Sequence, residues 1–188
     1  MFLDFLRSIW ASGFSSVVPH RSKFFPSPGF FTQAHTPAGR GFDSFFGFFC
    51  GDSTHDTRGS QVSHTCKTSI TDLYNSTHIA NTTDYYKNDE YNTYMYATEA
   101  KKLIQTHAAK YPNDEQLFFL YMAFQNCHAP YQVPDKYQAM YPSLKAGSQR
   151  CFNAMVTAMD ETVGVIHSTL KAANGGRMYN NSLIVYSR

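Results

Sequence analysis

A histidine in a proline-restrained loop is the residue of this sequence best placed to do chemistry. His128 lies four residues past Phe124, at the end of an apolar run, and Pro130 and Pro134 limit the backbone after it. An imidazole in such a loop can bind an oxyanion or protonate a leaving group near neutral pH. A second set, His55, Asp56, His64, Cys66 and His78, offers ligand types that zinc accepts. Its H-x8-H-x-C-x11-H spacing fits no closed metal site, so these residues are expected to be solvated loop positions. Asp160-Glu161 reads as a solvated pair on a helix, or as a cap to a partner surface. Gly175-Gly176 precedes an expected strand, so it is no phosphate cradle at a helix start. The serines lack G-x-S-x-G context. Lys67, Lys87, Lys101 and Lys102 do not cluster into a basic face.

The bulk properties narrow the classes. The chain has 188 residues, 16 Lys+Arg against 14 Asp+Glu, and a formal net charge of +2. That length suits one domain. The near-zero charge argues against a nucleic-acid partner, and no apolar run is long enough to predict a transmembrane segment. An aromatic content of 16% excludes a disordered polar tract. Four cysteines (Cys50, Cys66, Cys127, Cys151) are too few for a disulfide scaffold and lack paired C-x-x-C spacing. Asn75, Asn81 and Asn180 each begin an N-x-[ST] sequon, which points to glycosylation and a secretory route. Met1 to His20 is a poor signal peptide, because Asp4 and Arg7 interrupt any apolar core.

The elements that must position His128 are legible mainly in the second half. Residues 1–28 carry three prolines and no sustained period. Residues 40–49 read as a short buried segment bent at Gly41 and Gly47, and residues 50–92 as long surface loops with at most one short helix. Tyr96, Ala100, Leu103, Ile104 and His107 recur at helical spacing, predicting a helix over 93–108 capped by Thr93 and broken at Pro112. The eight apolar residues 117–124 predict a strand covered on both faces. Phe152, Met155, Val156, Met159, Val163, Ile166 and Leu170 mark one face of a helix over 148–172, stopped by Gly175-Gly176. Residues 182–187 predict a second buried strand. Strand, long helix and strand make a βαβ unit, and ligands bind beyond the carboxyl ends of such strands, which is where His128 lies.

The segments RGFDSFFGFFCGDSTHDT, TDLYNST, YATEAKKLIQTH, LFFLYMAFQNCHAPYQVP, FNAMVTAMDETVG and NNSLIVYS together resemble a sulfatase of the arylsulfatase B type. The resemblance runs in order from about Gly29 to Ser187. It implies an α/β fold, part of an alkaline-phosphatase-like sandwich with a mostly parallel central sheet flanked by helices, and incomplete here. It also implies hydrolysis of sulfuric esters by a formylglycine made from a C/S-x-P-S-R motif, a bound calcium cofactor, a lysosomal or secreted setting, and a sulfate-ester small molecule or sulfated glycan as partner. The family histidine of the FQ-x-x-H-x-P loop contacts the sulfate or protonates the leaving oxygen, and here it is His128. On this resemblance residues 29–188 are a partial sulfatase catalytic domain and residues 1–28 are unassigned.

The departures are equally specific. No cysteine is followed by x-Pro-x-Arg, because Cys127 has proline at the third place after it. The early Asp-Asp metal pair is missing. Phe25 and Ser27 stand where the family's G-K-W-H-L supplies lysine and histidine. The calcium-binding D-N-G-G that comes after the last strand in the family is not reached at Ser187-Arg188. Cys66 matches a family cysteine for which no partner is evident, and His35 replaces another. Metal ligands are therefore expected to be absent, and these 188 residues to be inactive and poorly folded alone. The alternative is a non-catalytic secreted sulfatase-like binding protein.

Overall fold

The computed structural model describes residues 37, 42–48, 54–56, 59–60, 70–71, 73–75, 78–79, 90–113 and 115–186. The expectations for residues 1–28 and for Cys50, His64, Cys66, Lys67, Asn81 and Lys87 lie outside these residues. Short strands come first: β1 (Phe46–Gly47), β2 (Gly59–Ser60), β3 (Ile70–Thr71), β4 (Tyr74–Asn75) and β5 (His78–Ile79). Helices come next: α1 (Asn92–Lys110), α2 (Asp135–Gln138), α3 (Ser148–Ala172), a 3-10 turn (Ala173–Gly176) and α4 (Arg177–Asn180).

The stretch expected to be loops thus carries antiparallel ladders. β4 pairs with β1 (Phe46↔Asn75, Gly47↔Tyr74) and with β5 (Tyr74↔Ile79, Asn75↔His78), while β2 pairs with β3. Phe45, Phe46 and Phe48 are buried, as expected for residues 40–49.

α1 spans the predicted helix and one or two residues more at each end. Its start differs from expectation. Tyr91, not Thr93, is the cap residue and gives no side-chain cap bond. The first amide, which has no partner within the helix, is satisfied from a distant segment instead, with Asn92 N–H donating to the His55 carbonyl at 2.8 Å. Thr93 is released to bond elsewhere. At the far end Tyr111 N–H closes on the His107 carbonyl at 2.9 Å, and Pro112 prevents a further turn.

α3 has the predicted bounds but a different buried stripe. Ala154, Met155, Ala158, Thr162, Thr169 and Leu170 are buried, whereas Phe152 and Val156 are 42% and 37% exposed. The small residues are selected because Tyr91 and Tyr137 pack against Ala154 and Ala158. The buried threonines return their hydroxyls to the helix, Thr162 to the Ala158 carbonyl at 3.2 Å and Thr169 to the Val165 carbonyl at 2.7 Å. Asn174 and Gly175 then take left-handed backbone at φ 50° and 63°, ending the helix. Gly175-Gly176 leads into the helical turn α4 rather than into a strand. Asn174 ties the two helix ends together by donating to the Tyr111 carbonyl at 3.2 Å.

Residues 117–125 and 182–186 are extended without ladder pairing among the described residues, so neither expected strand is present as such. Among the described residues the first run is packed mainly on one face. Phe118, Leu120 and Met122 pack against the α1 and α3 clusters, while Leu117, Phe119 and Tyr121 are 56%, 41% and 50% exposed. This is the two-residue period of a strand whose second face stays largely open, with the Phe42 ring 6.0 Å from Phe119. Residues 183–186 are barer still, with Leu183 89% and Val185 73% exposed.

Contiguous exposed apolar chain with unpaired backbone favours association. The double variant L183K/V185K is therefore expected to lower light scattering of the purified chain. Scattering unchanged by the two lysines would show that this segment does not drive association.

Candidate functional site

The loop that carries His128 is built by polar groups from three parts of the chain. It leaves the apolar run at Gln125, which is buried and accepts a bond from Asn92 Nδ2 at the start of α1. Asn126 is the structural rivet. Its Oδ1 accepts from Thr93 Oγ1 at 2.6 Å, and its Nδ2 donates to the Met155 carbonyl of α3 at 2.9 Å and to the Tyr91 hydroxyl at 3.2 Å. Burial pushes the Tyr91 hydroxyl up to about 12, so it stays protonated. Cys127 then adopts φ 64°, a left-handed conformation uncommon outside glycine, which turns the chain so that His128 N–H donates to the Gln125 carbonyl at 3.1 Å.

His128 is partly exposed at the tip of this turn, followed by a cis Ala129-Pro130 bond. Its Nδ1 lies 2.5 Å from the Ala129 carbonyl, which fixes that nitrogen as the N–H and leaves Nε2 for a ligand. Nε2 makes no hydrogen bond to the described residues. In its neutral form that atom is a proton acceptor, and once protonated it is a cationic donor suited to an oxyanion or a departing oxygen.

His55 overturns the expectation of a solvated loop. It is fully buried. Its N–H donates to Gln132 Oε1 at 2.9 Å, its carbonyl caps α1, Nδ1 lies 3.3 Å from Asn92 Oδ1, and Nε2 lies 3.2 Å from the His128 carbonyl. The ring stacks on Tyr91 with centroids 5.7 Å apart. Burial lowers its pKa to about 4, against the smaller raising effects of the Asn92 bond and of the Asp56 charge. His55 is neutral at physiological pH.

The other candidates separate. Asp56 is exposed, and the remainder of the proposed zinc set is either undescribed or described only as backbone. Among the described residues no three of His, Cys, Asp or Glu gather to hold a metal ion. The calcium implied by sequence resemblance therefore has no donor set in that part of the chain. Asp160 is exposed, whereas Glu161 accepts from Tyr137 Oη at 2.5 Å and sits 3.8 Å from Lys136 Nζ. The pair is thus not simply solvated, because Glu161 fastens α2 to α3. Lys101 and Lys102 are exposed, Lys102 lying 3.3 Å from Glu99. Cys127 and Cys151 are free thiols. Asn75 and Asn180 are exposed. No helix among the described residues is long and apolar enough to cross a membrane.

His128 is a candidate from the sequence alone, whereas the residues that hold its loop are not legible there. Asn92, Gln125, Asn126 and Gln132 are common polar types, and only their burial distinguishes them. One signal was available: two adjacent amides, Gln125-Asn126, interrupt the passage from an apolar run to the turn and need partners once buried.

Comparison with known proteins bears on this geometry. The profile of the sulfatase family matches residues 20–187. Mouse arylsulfatase J is 32% identical over 159 residues, covering 85% of this chain and 24% of that protein. The crystal structure of Ps i-CgsB superposes with a TM-score of 0.67 at 25% identity, covering 94% of this chain and 37% of that one. Its complex with k-i-k-neocarrahexaose gives 0.64, at 25% identity, over 87% of this chain and 35% of that one. The chain thus spans about a quarter of the curated relative and over a third of the solved ones. These likenesses carry the α/β fold of the alkaline-phosphatase type, while the ladders formed by the described residues are all antiparallel.

The buried neutral imidazole has a consequence for stability. Its folded pKa of about 4 lies below the unfolded 6.5, so the unfolded chain binds the extra proton first. The stability it contributes is fully present above pH 6.5 and is lost as pH falls through about 4, by an amount on the order of 3 kcal/mol. Urea melts of the whole protein across that window should show the decline, and H55L should flatten it. An equally steep decline in H55L would assign it to other groups.

Proposed function

This chain belongs to the sulfatase family, and on that footing we propose that the whole protein hydrolyses sulfuric esters, with His128 contacting the sulfate group or protonating the leaving oxygen. The observation that carries the role is an Nε2 with no partner among the described residues, on a ring whose Nδ1 is committed to the Ala129 carbonyl. A ring oriented in this way presents one nitrogen in one direction, and the turn that sets the direction is pinned to α1 and α3 through Asn126. Proton transfer by a positioned side chain of this kind contributes about 100- to 10,000-fold in rate.

Residues 29–188 are read as part of the catalytic domain. The C/S-x-P-S-R nucleophile motif is not in this sequence. Calcium, when bound in such enzymes, stabilises charge on the sulfate group, but no donors for it gather among the described residues, and none of the roles assigned here passes through it. The 188 residues by themselves are accordingly proposed to be inactive. A sulfated glycan is favoured as the substrate class over a small aryl ester, supported by a structural relative crystallised with k-i-k-neocarrahexaose. The exposed sequon residues Asn75 and Asn180 support a glycosylated, lysosomal or secreted product.

Sequencing the transcript through both ends, then assaying the product on nitrophenyl sulfate and a sulfated oligosaccharide, tests this reading. The expected result is an upstream C/S-x-P-S-R, a downstream D-N-G-G, and turnover reduced about 100- to 10,000-fold in H128A. Full turnover in H128A would remove His128 from the chemistry. A transcript confined to these residues, giving a soluble, cooperatively melting product with glycans on Asn75 or Asn81, would support the non-catalytic binding protein instead.

A further inference from the structure

We infer that His55 is a positioning residue for His128, holding the main chain at the point where the His128 side chain leaves the loop. The inference rests on the role proposed above for His128, although the contact itself does not. Both backbone groups of His55 and both ring nitrogens are engaged: the N–H by Gln132, the carbonyl by the first amide of α1, Nδ1 by Asn92 and Nε2 by the His128 carbonyl. Gln132 and His128 lie on either side of Pro130, so one residue grips the loop before and after its bend. The His128 N–H is held by Gln125. With its carbonyl held by His55, the whole peptide frame of His128 is fixed, and the ring is left with only side-chain rotation, which the Nδ1 bond to Ala129 restricts.

The tether makes a chemical demand. A neutral imidazole has one N–H, and two carbonyl-type oxygens, Asn92 Oδ1 and His128 O, face its two nitrogens. The His128 carbonyl cannot change its nature, whereas an amide can turn over. The arrangement that satisfies both ring nitrogens therefore puts the proton on Nε2, donating to the His128 carbonyl. This reverses both amides from the orientation described above: the Asn92 NH2 donates to Nδ1 and faces Thr93 Oγ1 as an acceptor, and the Gln125 NH2 donates to the Asn92 oxygen. This relay of buried amides gives Asn92 and Gln125 a reason to be where they are, and it joins the start of α1 to the His128 loop through hydrogen bonds alone.

The test is spectroscopic, with two substitutions that separate the ring nitrogens. In the whole protein labelled with 15N-histidine, long-range proton–nitrogen spectra at neutral pH should show His55 as the Nε2–H tautomer and His128 as the Nδ1–H tautomer. H55Q places an amide NH2 near the Nε2 position and should leave the His128 pattern in place. H55N reaches only the Nδ1 position, and H55F keeps the stacked ring without any N–H. Both should shift His128 to averaged tautomer signals. A His55 proton on Nδ1, or an unaltered His128 in H55N and H55F, would overturn the inference. If H55F does not fold, the H55Q and H55N pair decides. The two readings fail separately: an intact tether with full sulfate turnover in H128A sinks the proposed function alone, and an inactive H128A whose His55 proton lies on Nδ1 sinks the tether alone.

Discussion

A buried imidazole that must make hydrogen bonds without carrying charge is the constraint on which this structure turns. Water would satisfy His55 more cheaply than protein does, and the ring is nevertheless enclosed by Tyr91, Asn92 and the His128 loop. Every polar atom that surrounds it then has to find a partner inside the same enclosure. That requirement propagates outward: Asn92 to Gln125, Thr93 to Asn126, and Asn126 to α3. A network of this kind is stable only when complete, because a single missing partner leaves a buried group with its full desolvation cost. The position of the His128 loop is thus set by polar satisfaction more than by apolar packing.

The apolar packing has a different task. Three clusters join α1 to β1, to α3, and to the tyrosines near α2. Leu120 belongs to two of them, so the extended run 117–122 is the wedge between the helices. Its alternate residues point away from that wedge and remain exposed. Among the described residues this run is apolar on both faces and packed mainly on one, the pattern of a sheet layer.

The legibility of each element in the sequence depends on where its determinants lie. α1 and α3 depend on local period and on breakers, and the sequence places both to within two residues. The cap of α1 is misplaced from sequence because the group that satisfies its first amide, the His55 carbonyl, is 37 residues away and leaves no local trace. The face of α3 is misjudged because large apolar residues outweigh alanine in any pattern, although Ala154 and Ala158 are the ones that admit the tyrosine rings. The βαβ reading takes continuous apolar runs as laddered strands. Ladder pairing depends on neighbours in space, which a run of apolar residues does not specify.

His128 and His55 show the same division within the site. A loop histidine after an apolar run can be singled out from position, because a ligand must reach it and loops at strand ends are reachable. A support residue has the opposite signature, since it works by being unreachable. His55 lies among serines, threonines and aspartates in a stretch whose composition says loop, and composition is blind to which one residue of a loop turns inward. What distinguishes it is the count of its obligations: two backbone groups and two ring nitrogens, all directed at segments at least 37 positions away. A residue with four long-range polar contacts and no exposed surface contributes nothing that a solvated histidine needs, so its chemistry is spent entirely on holding other residues in place.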